Sequence, residues 1–225
     1  WCDSSNVWLP EDYIVKSSKE VELNKFAGMD CYVGVDLAAT SDLTAVAYLV
    51  VLDGTYYFKT HYYLPESALK DKADKELYKY WKQQGYLTVT SGNVTDYDYI
   101  TADMLRYADV VNIQSVGYDK YNATQWAIDS TEQGLPLEEY PQTLGNFNMP
   151  TRELERLILS GKAVIDNNEI NRYCFRNVTL KSDYNGNVKP NKAVDKKKID
   201  GTIAMIQALG MFLRNPRFSN EIITI

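Results

Sequence analysis

From residue 31 the chain runs through three stretches dominated by β-branched and aromatic residues, CYVGVDLA, TAVAYLVVL and TYYFKTHYYL. The second and third are separated by Asp53-Gly54, a two-residue hairpin signal, and the first two by the polar loop ATSD, which predicts an antiparallel three-stranded meander. PESALKDKADKELYKYWKQQG (65–85) predicts a helix closed by Gly85, and DYITADMLRYADVVNIQ (98–114) a second with Ile100, Met104 and Val111 on one face. SVGYD then predicts a short strand ending at Asp119. NATQWAIDSTEQG predicts a helix capped by Asn122 and stopped by Gly134, and PLEEY a further strand. TRELERLILSG (151–161) predicts an amphipathic helix capped by Thr151, and NVTLKSDYNGNVKP (177–190) a hairpin about Asn185-Gly186. The last helix is expected through KKKIDGTIAMIQALGMFLRN, ending at Asn215-Pro216, with Ile199, Ile203, Ile206, Gly210 and Leu213 as its apolar stripe. Residues 1–28 carry no periodicity and are expected to be an irregular leader. Residues 216–225 are expected to be a tail to the domain at 29–215.

Composition narrows the chemistry. The 225 residues are 45% hydrophobic and 24% charged, ordinary for a globular protein, and no apolar run is long enough to span a bilayer as a helix. Cys2, Cys31 and Cys174 are too scattered for a zinc CxxC pair or a disulfide framework. His61 is the single histidine and sits in an alternating aromatic strand, which points to a structural role. Hydrolytic chemistry, if present, must therefore rest on carboxylates, and oxygen-only donors select hard cations such as Mg²⁺ or Mn²⁺. The net charge of −6 argues against indiscriminate coating of nucleic acid, although a cluster of catalytic acids would contribute to that deficit. Against this background KPNKAVDKKK (189–198) holds five lysines and one aspartate.

Three carboxylates stand out. Asp36 lies inside an apolar strand, where an uncompensated charge is costly; Asp119 ends the fourth strand; Asp200 opens the last helix on the side shared with Ala204 and Met211. Each has an ordinary alternative, as a turn former, a cap, or favourable charge in a first helical turn. Together they follow the order β-β-β, helix, β, helix, β, which resembles the ribonuclease H-like fold: a mixed sheet, made of the antiparallel meander plus parallel strands, flanked by helices. Here it carries a C-terminal β-hairpin insertion. In that fold the first and fourth strands are neighbours and the last helix crosses them, so three acids remote in sequence would share one rim. Like charges so close raise one another's pKa values, and two divalent ions would stabilise them while holding a phosphodiester. Asp42 is a fourth candidate, either a turn former or an auxiliary group beside the metals.

VGVDLAATSDLTAVAYLV, GYDKYNATQWA and the long block from NFNMPTRELERL to KKKIDGTIAMIQAL resemble the C-terminal nuclease domain of tailed-phage large terminase subunits, over about residues 31–213. The resemblance implies a metal-dependent endonuclease that cuts concatemeric double-stranded DNA during genome packaging. It implies Asp36, Asp119 and Asp200 as catalytic metal ligands for two Mg²⁺ or Mn²⁺ ions. It further implies an N-terminal packaging ATPase in cis, with residues 1–28 as the connector. Partners would be the small terminase subunit and the portal, and the place of action the host cytoplasm, with no membrane involved. The start at Trp1 and the lack of a GxxxxGK[ST] loop fit an ATPase outside this chain. Lys196, Lys197 and Lys198, just before Asp200, are expected to bind the DNA backbone, and the 177–190 hairpin to stand guard beside the cleft. Three other readings compete: a resolvase or transposase of the same fold, although transposases usually place Glu where Asp200 stands; an actin-like ATP-binding phosphotransferase, whose phosphate loop needs a glycine where Ala38 lies; and a non-catalytic binding module that keeps the fold, which would bind neither Mn²⁺ nor Mg²⁺.

Overall fold

In the computed structural model, which describes residues 8–214 apart from 39, 41, 71–73, 122, 195 and 196, the predicted meander forms and becomes the middle of a larger sheet. In chain order the elements are α1 (Glu11–Ser17), β1 (Ser18–Lys19), β2 (Asp30–Asp36), β3 (Thr44–Leu52), β4 (Thr55–Pro65), α2 (Lys75–Gln83) and β5 (Thr88–Thr90). There follow α3 (Tyr97–Ala108), β6 (Asn112–Tyr118), α4 (Thr124–Glu132), β7 (Leu137–Glu139) and α5 (Leu144–Leu159). The chain continues through β8 (Ala163–Asp166), α6 (Glu169–Arg176), β9 (Val178–Ser182), β10 (Val188–Lys192) and α7 (Asp200–Arg214). The sheet order is β1-β8-β4-β3-β2-β6-β7, with β5 extending the edge of β4; β9 and β10 form a separate hairpin. β2, β3 and β4 are antiparallel, while β6 joins β2, and β8 joins β4, in parallel.

The two faces of the sheet are covered by different helices, and this follows from the period of two along each strand. Tyr32, Ala45, Ala47, Leu49, Phe58 and Tyr62 face a core shared with α5, α6 and α7. Cys31, Val33, Val35, Val46, Tyr48, Val50 and Tyr63 face the core beneath α3 and α4. The turn at Asp53-Gly54 has both residues at positive φ, 50° and 71°, as a type I′ hairpin requires.

Several boundaries differ from the sequence expectation. The helix expected at 65–85 is α only over α2, and residues 66–70 form a 3₁₀ turn directly after β4. The helix expected at 98–114 ends at Ala108, and residues 112–114 instead begin β6, where Asn112 N–H donates to Met29 C=O (2.8 Å) and sheet pairing overrides helical periodicity. Residues from Trp8 on are not irregular: Trp8, Leu9 and Ile14 are buried in the main core, and β1 pairs with β8. Asn122, the expected cap of α4, lies outside the described residues, as do residues 215–225. α7 is buried on every side rather than along one stripe, because the sheet lies beneath it and α5 and α6 lie against it.

α5 shows why a proline misled the reading of its start. A helix beginning at Thr151 is expected after Pro150, yet α5 begins at Leu144, with the Thr143 hydroxyl accepting from Asn146 N–H. Proline at 150 removes the N–H that would bond the carbonyl of Asn146. That carbonyl is taken by the Tyr140 hydroxyl at 2.7 Å. Tyr140→Phe is therefore expected to leave the carbonyl without its donor and to lower stability by about 1 kcal/mol, read as a lower urea midpoint at unchanged slope. An unchanged midpoint would show that water replaces the hydroxyl without cost.

Candidate active site

The parallel pairing of β2 with β6 puts Val35 opposite Tyr118. The next residue of each strand, Asp36 and Asp119, therefore emerges at the same end of the sheet, side by side. Asp200 is the first residue of α7, which crosses β2 so closely that only Gly34 leaves room for it: a Cβ there would collide with the backbone of Ala204 and Ala208. Gly117 of β6 admits Met211 in the same way. The face of α7 that carries Ala204, Ala208 and Met211 thus lies on β2 and β6 and carries Asp200 to their carboxyl ends.

Asp36, Leu37, Asp119, Tyr121 and Gln142 line an open cleft of about 340 Å³. Burial raises the Asp36 pKa well above the usual carboxylate range, and the nearby Asp200 and Asp119 raise it further, against Gln142 and Lys192. Burial, then Asp42, raises Asp200 to about 6. Asp200 is 6% exposed, and its Oδ2 has no hydrogen-bond partner. Asp119 is held by the main chain instead: Tyr121 N–H donates to Oδ1 and Gln142 N–H to Oδ2, both at 2.9 Å. The Gln142 side chain donates to Asp36 Oδ1 at 3.0 Å.

Asp42 stands within reach of Asp200, whose pKa it helps to raise, but its own charge is met by lysines. It is ion-paired with Lys198, and with Lys192 at 3.5 Å; although burial opposes it, Lys198 and then Lys192 hold its pKa below the usual value. Lys198 is consequently buried against Asp42 rather than presented to solvent. Lys197 is exposed and lies over the Tyr173 ring, 5.7 Å from its centroid. Lys196 lies outside the described residues. Lys192 passes unnoticed in the sequence because hairpin strands give no clue to what they face, yet it lies within Coulombic reach of Asp36, Asp42 and Asp200. Gln142 is missed for a similar reason, in a loop with no periodicity.

Among the described residues, no three Asp, Glu, His or Cys side chains meet closely enough to enclose an ion unaided. The donor set nevertheless suits a hard cation. It consists of carboxylate oxygens, one of them buried without a partner, in two groups that resist ionisation when nothing positive is beside them. Magnesium characteristically needs one or two protein carboxylates and takes its other ligands from substrate phosphate and water. A larger cleft, about 470 Å³, opens at the β4–β8 edge and includes His61, Thr60 and Asn168. Its Lys59 and Asp166 are paired at 2.9 Å, and His61, buried beside Asp103 and Tyr107, has its pKa lowered to about 4 chiefly by burial. Paired charges and a neutral imidazole make this cleft the poorer candidate for hydrolysis.

A mixed sheet with acids at the carboxyl ends of two adjacent parallel strands, and a third at the head of the helix laid across them, defines the ribonuclease H-like class. Within that class, the chain belongs to the family described as terminase large subunit, endonuclease domain, whose model matches residues 1–215. The protein YmfN of Escherichia coli K12 is 32% identical over 210 residues, covering 85% of this chain and 45% of the relative. The crystal structure of the HK97 bacteriophage large terminase superposes with a TM-score of 0.81 at 25% identity, covering 91% of this chain and 43% of that one. The large terminase nuclease of thermophilic phage G20c, solved with bound magnesium, superposes with a TM-score of 0.55 at 12% identity, covering 80% of each chain. The chain spans less than half the length of the curated relatives it matches.

Proposed function

We propose that this chain is the divalent-metal-dependent endodeoxyribonuclease unit of a phage genome-packaging machine, cutting concatemeric double-stranded DNA. The observation that carries the reading is the arrival of Asp36, Asp119 and Asp200 at one end of the sheet, with Asp200 Oδ2 buried and unpartnered. Asp36, Asp119 and Asp200 would hold two Mg²⁺ or Mn²⁺ ions, which supply charge neutralisation at the phosphodiester and a water acidic enough to attack it. The magnesium-bound phage G20c nuclease, similar in fold, supports that choice of ion.

The chain's own residues do the remaining work. Asp36 feels the negative charge of both Asp200 and Asp119, each of which raises its pKa. Lys192 brings a positive charge to the same rim, where a phosphate would approach, and the exposed Lys197 extends the basic stretch along the DNA backbone. Lys198 serves differently, fixing Asp42 and the loop after β2. The exposed Tyr121 leaves the mouth of the cleft open to a long polymer. An ATPase domain in cis, the small subunit and the portal would deliver DNA in the host cytoplasm; the greater length of the relatives leaves room for the ATPase domain.

The test is plasmid cleavage in Mg²⁺ and in Mn²⁺ by wild type, Asp36→Asn and Asp119→Asn. Wild type is expected to nick and linearise supercoiled DNA and both variants to lose that activity while keeping their far-UV circular dichroism. Cleavage persisting in either variant would remove that residue from the site, and a wild type that takes up neither ion would sink the reading.

A further inference from the structure

Gln142 touches both strand carboxylates at once. Its side-chain amide donates to Asp36 Oδ1 at 3.0 Å, while its main-chain N–H donates to Asp119 Oδ2 at 2.9 Å. Its own carbonyl is not free either, for Lys189 Nζ donates to it at 3.1 Å. One residue therefore bridges the two acids and is itself tied to strand β10.

The backbone around Gln142 is held firmly. Tyr140 N–H donates to Tyr118 C=O at 2.6 Å, prolonging the pairing of β7 with β6 and bringing the next residues alongside Asp119. Beyond Gln142, the Pro141 carbonyl accepts from Thr143 N–H (2.8 Å) and from the Asn146 side chain (2.8 Å), winding the chain into the start of α5. Lys189 is equally well placed. Its hairpin is pinned to α5 by Arg152, which donates to Gly186 C=O at 2.6 Å, and by Val188 N–H, which donates to Asn148 Oδ1 at 2.9 Å.

We infer that Gln142 is a positioning residue for the proposed nuclease reaction: it sets the spacing and orientation of Asp36 and Asp119, and Lys189 locks it in place from the hairpin. This rests on the reading of the cleft as a metal site. A carboxylate that can rotate presents its lone pairs to an ion only part of the time, and outer groups that fix ligands typically change metal affinity 10–100-fold. Two amides from one rigid residue fix two ligands with a common frame, so an error in one cannot develop independently of the other. The hairpin thereby reaches the acids by two routes, through Lys189 and Gln142 to Asp36 and Asp119, and through Lys192 to Asp42.

The experiment is Mn²⁺ binding followed by isothermal titration calorimetry on wild type, Gln142→Met and Lys189→Met, with thermal melting in EDTA and duplex DNA affinity measured in parallel. Methionine keeps the length of glutamine but its side chain donates nothing to Asp36, while the main-chain N–H still reaches Asp119. Gln142→Met is expected to weaken Mn²⁺ binding by about 10–100-fold, with an unchanged melting temperature and little change in DNA affinity, a split that a purely structural role would not produce. Lys189→Met is expected to weaken Mn²⁺ binding several-fold in the same direction. Wild type that binds Mn²⁺ beside a Gln142→Met variant that binds it equally well would overturn the inference while leaving the metal site intact. If wild type itself binds no Mn²⁺, the reading of the cleft fails and takes this inference with it. Should Gln142→Met fail to fold, Lys189→Met decides, since unchanged Mn²⁺ affinity there would break the link.

Discussion

Replacing Asp200 with asparagine is expected to abolish metal-dependent DNA cleavage and also to remove the pH trend that Asp200 imposes on folding. Loss of the several kcal/mol that a bound divalent ion contributes to the transition state corresponds to roughly 10³-fold or more in rate. The folding effect has a separate origin. Burial holds the Asp200 pKa near 6, above the 3.8 of an exposed aspartate. Between those two values the native state keeps a proton that the unfolded chain has already released. Asp200 by itself should therefore subtract about 3 kcal/mol of stability from the metal-free protein as pH rises from about 4 to about 6. Asparagine removes that contribution. His61, with its folded pKa near 4, gives the opposite slope, stability rising with pH up to about 6.5, but it does so in both proteins. The measurement is urea unfolding in EDTA from pH 4 to 7.5, and the wild-type minus Asp200→Asn difference should fall across pH 4–6. A flat difference would mean that Asp200 is solvated in the folded protein and is no pent-up charge awaiting a cation.

Gly34→Ala should produce the largest loss of stability from a single methyl group. The added Cβ would collide with the carbonyl of Ala204 and the N–H of Ala208, and would lie 2.8 Å from Gln207 Cβ. Main-chain atoms of a buried helix cannot relieve the contact by changing rotamer, so α7 must lift from β2. Overpacking typically costs about 1–3 kcal/mol, and a backbone-to-backbone clash belongs at or beyond the upper end. Because α7 carries Asp200 and β2 carries Asp36, cleavage should fall further than the stability loss accounts for, even under conditions where the variant stays folded. Gly145→Ala is the control. It lies in the first turn of α5 with nothing within 4 Å of a new Cβ, so it should be neutral or stabilising by up to about 1 kcal/mol. Equal behaviour of the two variants would show that α7 adjusts freely and that the Gly34 contact does not set the position of Asp200.

The readable part of the molecule was the part with local causes. Alternation and the Asp53-Gly54 turn are enough for the meander, and glycines 134 and 161, both at positive φ, stop α4 and α5 where their sequence positions suggest. The errors arise where a contact outside the segment decides its structure. Pro150 reads as a helix boundary unless the Tyr140 hydroxyl is known to take the orphaned carbonyl of Asn146. Residues 112–114 continue a helical pattern, and only their pairing with the start of β2 makes them strand. The leader lacks periodicity because α1 and β1 are very short and draw their stability from β8, α5 and α6.

For the candidate site, carboxylates at the ends of apolar segments could be picked out from sequence, because a charge in such a place needs a physical reason wherever it occurs. Their company could not be picked out in that way. Hydrogen bonds and ion pairs between distant segments depend on register and on the angle at which α7 crosses the sheet, and neither leaves a mark in residue order. Hence the chain alone singled out Asp36, Asp119 and Asp200, whereas only the folded structure paired Asp42 with Lys198 and Lys192 and brought Gln142, Lys189 and Lys192 to the rim.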